Sequence, residues 1–112
     1  MDCLFCKIVN KDIPCDLIYE DDKVIAFKDI NPQAPVHFLV VPKEHIKSLD
    51  EVTLEQEELI THILMVIPKL AKEYDLSKGY RVVNNCGEQG GQTVDHIHFH
   101  VLGKREMLWP PG

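Results

Sequence analysis

Three histidines at alternate positions, His96, His98 and His100, are the residues of this sequence best suited to chemistry. In an extended strand, side chains alternate between faces, so the three imidazoles share one face while the apolar residues between them share the other. Imidazole titrates near neutral pH, and three such rings are an uncommon way to make a strand face merely polar. The glycine-rich turn Gly90-Gly91-Gln92-Thr93 precedes them and is rich in hydrogen-bond donors. Together, the turn and the histidines predict a site that holds an anion and attacks it.

Two other interpretations of the histidines have to be compared with this one. A lone strand histidine is more often a structural residue than a catalyst, but three on one face behind a glycine-rich turn favour chemistry. One metal ion bound by all three is disfavoured by their spacing. At about 3.3 Å per residue, His96 and His100 begin roughly 13 Å apart, whereas nitrogen ligands lie about 2 Å from an ion. The three histidines are therefore expected to have different roles.

Length, composition and charge predict a cytoplasmic globular protein and leave a small phosphorylated ligand possible. The chain has 112 residues, 45% of them hydrophobic, and a net charge of −6. Its longest apolar run, Ile63 to Ile67, is too short to cross a membrane, and its N-terminus lacks the features of a secretory signal. Acidic residues are spread along the chain, which disfavours a nucleic-acid polymer as partner. A small phosphorylated ligand needs no such basic patch.

Four cysteines, at positions 3, 6, 15 and 86, raise the question of disulfides or a metal. In a chain of this size without an export signal, disulfides are not needed for stability. Cys3 and Cys6 form a C-x-x-C pair, which in a cytosolic protein indicates metal binding or redox chemistry. Cys15 and Cys86 have no such context and are expected to be reduced packing residues.

Apolar periodicity and turn residues predict five strands, a short N-terminal helical turn and one long helix. The strands are predicted at Leu17–Glu20, Val24–Phe27, Val36–Val41, Tyr80–Asn85 and His96–Leu102, and the helical turn at Leu4–Asn10. The long helix begins at Thr53, which forms a capping box with Gln56. It ends between Leu76 and Gly79, and Pro68 should kink it because proline removes one internal hydrogen bond. With no regular β-α-β alternation, this order indicates an α+β domain with an antiparallel sheet.

The histidine-rich segment His96-Ile97-His98-Phe99-His100-Val101-Leu102 matches, without a departure, the pattern H-φ-H-φ-H-φ-φ, in which φ is apolar. With this motif the sequence resembles the histidine triad (HIT) family of nucleotide-binding proteins. The resemblance spans almost the whole chain and also includes Cys3 to Ile8, Phe27 to Pro35, His37 to Ile46, Gly90 to Thr93 and Trp109 to Gly112. The C-terminal tail is similar to that of the Hint branch, the nucleoside phosphoramidases, rather than to the Fhit branch.

The resemblance implies a fold and an assembly. We expect one HIT domain over residues 1–112, with an antiparallel sheet of about five strands, one long helix and a short N-terminal helix. Hint-like relatives are homodimers, so a homodimer is expected here too. The apolar stripe of the long helix and Trp109 are candidate dimer contacts, although both also fit the core of a monomer.

The resemblance also implies an activity. Hint-like enzymes are purine nucleoside phosphoramidases, which hydrolyse adenosine 5′-phosphoramidates to a nucleoside monophosphate and an amine through a covalent nucleotidyl-histidine. His98, the middle histidine, would be the nucleophile, and the backbone carbonyl of His96 would hold its other ring nitrogen. His100 and His37 would supply hydrogen bonds and positive charge beside the phosphate. Thr93, at a position that is commonly serine in relatives, would help protonate the departing amine.

The residues that would bind an AMP-like ligand follow from the same resemblance. Asp29 would accept hydrogen bonds from the ribose hydroxyls, because a carboxylate can engage both. An apolar slot for the base would be formed by Ile30, Phe27 and Ile18. The phosphate would be held by Asn85, Gly91, Gln92, Thr93, His98 and His100.

A structural zinc site is the one cofactor implied, with no organic cofactor. Some HIT proteins bind zinc through a C-x-x-C pair and two histidines, and the matching residues here are Cys3, Cys6, His45 and His96. Two sulfurs and two nitrogens make a closed tetrahedral site of the structural kind. The alternatives for the cysteines are a pair of reduced buried thiols or a redox pair.

Two alternative functions stay open at this point. A dinucleoside polyphosphate hydrolase or a nucleotide phosphorylase would use the same covalent histidine. A protein of another class, a nucleotide-binding or zinc-binding interaction module with little turnover, would carry the same motifs.

Overall fold

The computed structural model describes residues 3–112; Met1 and Asp2 of the predicted domain lie outside the described residues. The chain forms a five-stranded antiparallel sheet with one short and one long helix, which confirms the predicted α+β fold class. In chain order the elements are α1 (Leu4–Val9), β1 (Leu17–Glu20), β2 (Val24–Lys28), β3 (Val36–Pro42), two 3-10 turns (Leu49–Glu51 and Leu54–Gln56), α2 (Glu57–Glu73), β4 (Tyr80–Val83) and β5 (Phe99–Gly103).

The strand order β1-β2-β3-β5-β4 places β5, which carries His100, directly beside β3, which carries His37. All neighbouring strands are antiparallel. The register pairs His37 with Leu102 and Leu39 with His100. Residues directly opposite each other, and residues two apart on one strand, share a face. The sheet therefore brings His37 and His100, which are 63 residues apart in sequence, to the same face.

Different helices cover the two faces of the sheet. On one face, strand residues such as Val40 and Val101 pack with Ile63 of α2 in a large apolar cluster, which we call the α2 cluster. On the other face, strand residues such as Leu39 pack with Phe5 of α1 in a smaller cluster, which we call the α1 cluster. Burial of apolar surface on both faces fixes the register, because a slip of one residue would exchange the two faces.

Strand β5 begins at Phe99, so the strand predicted from His96 starts too early. The N–H groups of His96 and Ile97 donate to the carbonyls of Val94 and Ile46 and not to a neighbouring strand. Strand β4 likewise ends two residues before its predicted end. The chain therefore pairs with β3 and β4 only after the first two histidines, His96 and His98.

The predicted alternation of the histidines between faces persists outside the strand. The ring centroids of His96 and His98 lie 6.0 and 5.0 Å from that of Phe5, on the α1 face. Ile97, between them, belongs to the α2 cluster. All three histidines therefore share one face, as the sequence predicts, and this face is the one covered by α1.

Helix α2 begins later and ends earlier than predicted, although its cap is confirmed. Thr53 and Gln56 form the predicted capping box, but it leads into a 3-10 turn and regular α-helix starts only at Glu57. The helix ends two residues before Asp75, whose φ of 58° is left-handed and incompatible with continued α-helix. Pro68 lies inside α2, which continues through it. No helix formed by residues 3–112 is both long and apolar enough to span a membrane.

Candidate active site and metal site

The imidazole ring of His98 makes one hydrogen bond within residues 3–112, and this bond fixes which ring nitrogen carries the proton. Its Nδ1–H donates to the backbone carbonyl of His96 over 2.7 Å. Because a carbonyl only accepts, the ring proton of the neutral imidazole is on Nδ1 and the lone pair on Nε2. Among residues 3–112, Asn84 Oδ1 is the one side-chain nitrogen or oxygen that is fully buried and has no hydrogen-bond partner. His98 Nε2 has no partner in that range either, so it is not fully buried. It is accessible although only 4% of the residue is exposed.

Three polar side chains, Asp29, His37 and His100, lie beside His98 and form what we call the His37 cluster. The ring centroids of His100 and His98 are 5.1 Å apart. His37 Nε2 lies 2.9 Å from His100 Nδ1 and 3.4 Å from Asp29 Oδ2. His100 Nδ1 lies 3.9 Å from the same carboxylate oxygen. The structure thus brings together four of the residues that the sequence singled out.

Burial lowers the pKa of these histidines below the usual 6.5. Loss of hydration is the largest cause for His98 and His37. For His100, burial and then the neighbouring His98 and His37 lower the pKa to about 4. The Asp29 carboxylate opposes the shift in all three cases. At pH 7 the rings are neutral, which is the form with a lone pair.

The lowered pKa of His100 predicts a loss of stability in acid. Unfolded His100 binds a proton at about pH 6.5, whereas the folded protein binds it only near pH 4, so acid favours the unfolded state between these values. The contribution to stability is complete above pH 6.5 and falls as the pH is lowered to 4. The free energy of unfolding, measured with urea, should fall more steeply between pH 6.5 and pH 4 in the wild type than in His100→Asn. Equal pH dependence of the two proteins would contradict a buried, uncharged His100.

An apolar wall lies next to His98. Phe27, a predicted base-slot residue, has its ring centroid 5.5 Å from that of Phe5, which in turn lies 5.0 Å from that of His98. Phe5 and Ile8 of α1 belong to the same cluster as Phe27. Neither residue was predicted from the sequence to belong to the site. Their spacing of three residues, which puts both on one helix face, was the signal that could have identified them.

The other two predicted base-slot residues, Ile18 and Ile30, are not members of the α1 cluster that contains Phe27. Ile18 packs against the α2 cluster, whereas Phe27 belongs to the α1 cluster on the opposite face, so the two cannot share a slot. The reason is a register shift between Leu17 and Tyr19, which leaves Ile18 unpaired in β1. Ile30 is fully exposed in the loop after β2 and is therefore not part of the core.

The glycine-rich turn uses its donors internally. The N–H groups of Gly91 and Gln92 donate to the carbonyls of Glu88 and Gly87. The Gln92 side chain is also engaged, because its Nε2 donates to two backbone carbonyls and its Oε1 accepts from the Gly87 N–H. In this structure the two predicted phosphate donors therefore shape the turn instead of presenting donors to an anion.

Asn84 is a residue of this site that the sequence analysis missed. Its Nδ2 donates to the carbonyl of His98 over 2.9 Å, in place of the strand partner that β4 no longer supplies. Asn84 lies inside the strand predicted at Tyr80–Asn85, where only its neighbour Asn85 was predicted to belong to the site. Asn85 and the exposed Thr93 make no hydrogen bond to a histidine within residues 3–112.

A second cluster, the cysteine cluster, contains Cys3, Cys6, His45 and His96. Each offers one ligand atom, and these atoms all lie within 4.8 Å of one another. His96 Nδ1 is 3.3 Å from Cys3 Sγ, 3.5 Å from Cys6 Sγ and 3.2 Å from His45 Nδ1. The structure brings together all four residues that the resemblance implied for a metal.

The donor set fits a tetrahedral metal ion such as zinc. Two sulfurs and two imidazole nitrogens are a common structural set. The Nε2–H of His96 donates to the Pro42 carbonyl over 2.8 Å, which leaves the Nδ1 lone pair facing the cysteines. Burial, followed by the nearby Cys3, raises the pKa of the Cys6 thiol to about 11, so a cation is needed to stabilise its thiolate.

Comparisons with known proteins identify the family of this chain. The family model described as "Scavenger mRNA decapping enzyme C-term binding" matches residues 2–109. An uncharacterised HIT-like protein from Synechococcus elongatus is 50% identical over 111 residues, which cover 99% of this chain and 97% of the relative. The chain belongs to the histidine triad (HIT) family.

Solved structures of HIT proteins have the same fold. A HIT family hydrolase from Legionella pneumophila has a TM-score of 0.98 at 48% identity, over 99% of this chain and 100% of that one. A histidine triad protein from Clostridium difficile has a TM-score of 0.92 at 50% identity, over 96% of this chain and 95% of that one. The predicted HIT-like fold is therefore confirmed.

The three HIT histidines occupy different surroundings in this fold. The His96 ring belongs to the cysteine cluster, while its carbonyl holds His98. His98 presents an accessible Nε2 between the two clusters. His100 is a member of the His37 cluster. His96 is thus the one triad histidine that contributes to both parts of the site.

Proposed function

We propose that this HIT protein is a purine nucleoside phosphoramidase that hydrolyses adenosine 5′-phosphoramidates to AMP and an amine through a nucleotidyl-His98 intermediate. The observation that carries the proposal is the combination of a fixed Nδ1–H and an accessible Nε2 in His98. A nucleophilic imidazole needs a neutral ring and a lone pair directed away from its hydrogen-bond partner. The Legionella relative, which is described as a hydrolase, supports the same class of reaction.

The proposed reaction has two displacement steps at phosphorus. In the first, His98 Nε2 bonds to phosphorus, the bond to the amine nitrogen breaks and the amine takes up a proton. In the second, water bonds to phosphorus and gives up a proton, while the bond to Nε2 breaks and its electron pair returns to the ring. We assign to His100 and His37 the stabilisation of charge on the phosphate oxygens, and to Thr93 assistance in protonating the amine.

The proposed nucleoside contacts involve the His37 cluster and the apolar wall. Asp29 Oδ1 accepts the N–H of Asn31 over 2.8 Å, and each carboxylate oxygen retains further lone pairs for ribose hydroxyls. Phe27 and Phe5 supply the apolar slot for the base, and the exposed Ile30 adjoins Asp29 in sequence. These apolar contacts would recognise the shape of the base and not the hydrogen-bonding groups on its edges. They would therefore accept a purine without strict discrimination between adenine and guanine.

The phosphate contacts require one local change. Gly91 and Gln92, with Asn85, stay our proposed phosphate ligands. Because both turn N–H groups donate inside the turn, binding has to exchange those bonds for phosphate oxygens. The positive φ of Gly91, 80°, is a conformation that glycine adopts at little cost, which favours such a rearrangement.

We further propose that the cysteine cluster holds a structural zinc ion. Four protein ligands close a tetrahedral shell, so no position is left for water or substrate. Zinc bound there would link α1, through Cys3 and Cys6, to the backbone segment that carries His96. This proposal includes no organic cofactor.

The proposal includes a homodimer in the cytoplasm. The buried stripe of α2 packs on the sheet, so dimer contacts would fall to exposed residues instead. Exposed apolar side chains on α2 and β4 are Leu64, Met65, Tyr80 and Val82, and Trp109 of the C-terminal segment is 82% exposed. A second copy is the partner that would cover them. A pair of thiolate ligands also fits a reducing compartment.

Competing substrates test the proposed reaction. We expect kcat/KM for an adenosine 5′-phosphoramidate to exceed that for a diadenosine polyphosphate by about tenfold or more, because the apolar wall of Phe27 and Phe5 beside His98 offers one slot for a base. Steady-state assays on one protein preparation give both values. A clear preference for the dinucleotide would favour the alternative hydrolase, and binding of AMP without turnover would favour a binding module.

A further inference from the structure

A chain of hydrogen bonds connects Arg105, just after β5, to the His37 cluster. Arg105 Nε donates to the carbonyl of Gln33 over 2.9 Å. The N–H of Gln33 donates to Nδ1 of His37 over 3.0 Å. His37 Nε2 then lies 2.9 Å from Nδ1 of His100. An exposed arginine outside the site is thus three hydrogen bonds away from the ring beside His98.

The backbone amide of Gln33 decides where His37 carries its proton. A peptide N–H only donates, so His37 Nδ1 must present a lone pair and the proton of the neutral ring is on Nε2. Nε2–H then donates to His100 Nδ1, which in turn must be unprotonated. The proton of neutral His100 is therefore on its Nε2, an atom that has no partner within residues 3–112. The bond from the Gln33 N–H to His37 Nδ1 therefore determines which atom donates in the bond between His37 and His100.

The Gln33 N–H also opposes metal binding in the His37 cluster. Its three ligand atoms lie within 4.8 Å of one another, and two histidines with one carboxylate are a familiar metal-binding set. A metal on His37 Nε2 would require the proton of the neutral ring to move to Nδ1. That atom faces the Gln33 N–H, so metal binding would break this hydrogen bond or demand an imidazolate. The Gln33 N–H thus favours hydrogen bonding over metal binding in the His37 cluster.

The loop that supplies this amide is fixed at several points. The Gln33 side chain donates to the Asn31 carbonyl over 2.9 Å, and the Asn31 N–H donates to Asp29. Arg105 also donates through Nη1 to the Glu106 carbonyl over 3.1 Å, so its guanidinium bridges this loop and the C-terminal segment. A planar guanidinium with several donors can hold two carbonyls at once, which an ammonium group does less well.

We propose that Arg105 and the main-chain amide of Gln33 are positioning elements that fix the tautomers of His37 and His100, so that His100 presents an Nε2–H to the phosphate. This inference rests on the proposed function, because the phosphate is the acceptor that the function supplies. The buried, neutral state of His37 and His100 agrees with it, since burial lowers the pKa of both. Arg105 touches neither histidine and acts through Gln33.

Nuclear magnetic resonance of the ligand-free protein tests the tautomers without any substrate. Long-range ¹H–¹⁵N correlation spectra distinguish protonated from unprotonated ring nitrogens. We expect the proton on Nε2 of both His37 and His100 in the wild type. Zinc added beyond one equivalent per chain should leave these signals unchanged. A wild-type proton on Nδ1 of His37, or loss of the two signals on adding excess zinc, would overturn the inference.

Arg105→Ala tests the link to the reaction. We expect the His37 signals to shift towards a mixture of tautomers and kcat to fall roughly three- to tenfold, with a smaller change in KM, because about one net hydrogen bond is lost. Arg81→Ala is the matched control, since Arg81 Nη2 donates to the Leu108 carbonyl of the same C-terminal segment but not to Gln33. Unchanged tautomers and kcat in Arg105→Ala, or equal losses in Arg81→Ala, would refute the inference. Failure of phosphoramidate hydrolysis with the expected tautomers would refute only the proposed function.

Discussion

Replacing His98 by alanine should reduce hydrolysis of an adenosine 5′-phosphoramidate by on the order of a thousandfold or more, because it removes the nitrogen that would form the proposed covalent intermediate. Nε2 of His98 is the accessible lone pair fixed by the 2.7 Å bond to the His96 carbonyl. AMP should still bind with an affinity within a few-fold of the wild type, since Asp29 and the apolar wall are unchanged. Single-turnover rates and equilibrium titration with AMP measure the two quantities separately.

His62→Ala is the control for this experiment. His62 lies on α2 and its Nε2 is 2.7 Å from Asp21 Oδ2, so it is also a hydrogen-bonded histidine but has no contact with the His37 cluster. This variant should keep wild-type kcat. Residual activity of His98→Ala within tenfold of the wild type would show that another nucleophile carries the reaction. Loss of AMP binding in the same variant would mean that His98 is needed for the ligand itself.

Replacing Cys6 by serine should remove the metal and lower the melting temperature by about 10 °C or more. Metal binding to a preformed site contributes directly to the free energy of unfolding, and about 1 kcal/mol corresponds to several degrees in a domain of this size. Cys6 Sγ lies 3.3 Å from His45 Nδ1 and 3.5 Å from His96 Nδ1, so serine removes a central donor. Elemental analysis and thermal unfolding of freshly purified protein measure both effects.

Cys15→Ser provides the comparison for Cys6→Ser. Cys15 is a partly buried free cysteine that packs against the same α1 cluster but lies outside the cysteine cluster. It should keep one metal ion per chain and lose little stability. Wild-type protein purified without metal would refute the zinc proposal. Equal melting temperatures of the two variants would show that the cysteine cluster gives no stability through a metal.

The parts of the site that local pattern determines were predictable from the sequence. Strand alternation was enough to put the three histidines on one face, although the strand itself starts only at Phe99. The C-x-x-C pair together with family positions predicted a cluster with His45 and His96, and the structure shows their ligand atoms together. The capping box of Thr53 depends on a spacing of three residues and was equally accessible.

The parts that depend on distant backbone contacts were not predictable. A register shift in β1 turned Ile18 to the α2 face, and no local signal in the sequence marks that shift. Phe5 reaches His98 only because α1 folds over the sheet. Arg105 and Gln33 are 72 residues apart, and their bond depends on how the chain leaves β5. Hydrogen bonds to backbone carbonyls leave no residue pattern, because every residue carries that group.

The sharing of His96 between the two parts of the site has an evolutionary consequence. Its ring faces the cysteines while its carbonyl orients His98, so we expect a change at position 3, 6 or 45 also to disturb the support of His98, the proposed nucleophile. Lineages should therefore gain or lose these three positions as a set, with new packing around residue 96 wherever the sulfur ligands disappear. An alignment of relatives would show this as covariation among positions far apart in sequence.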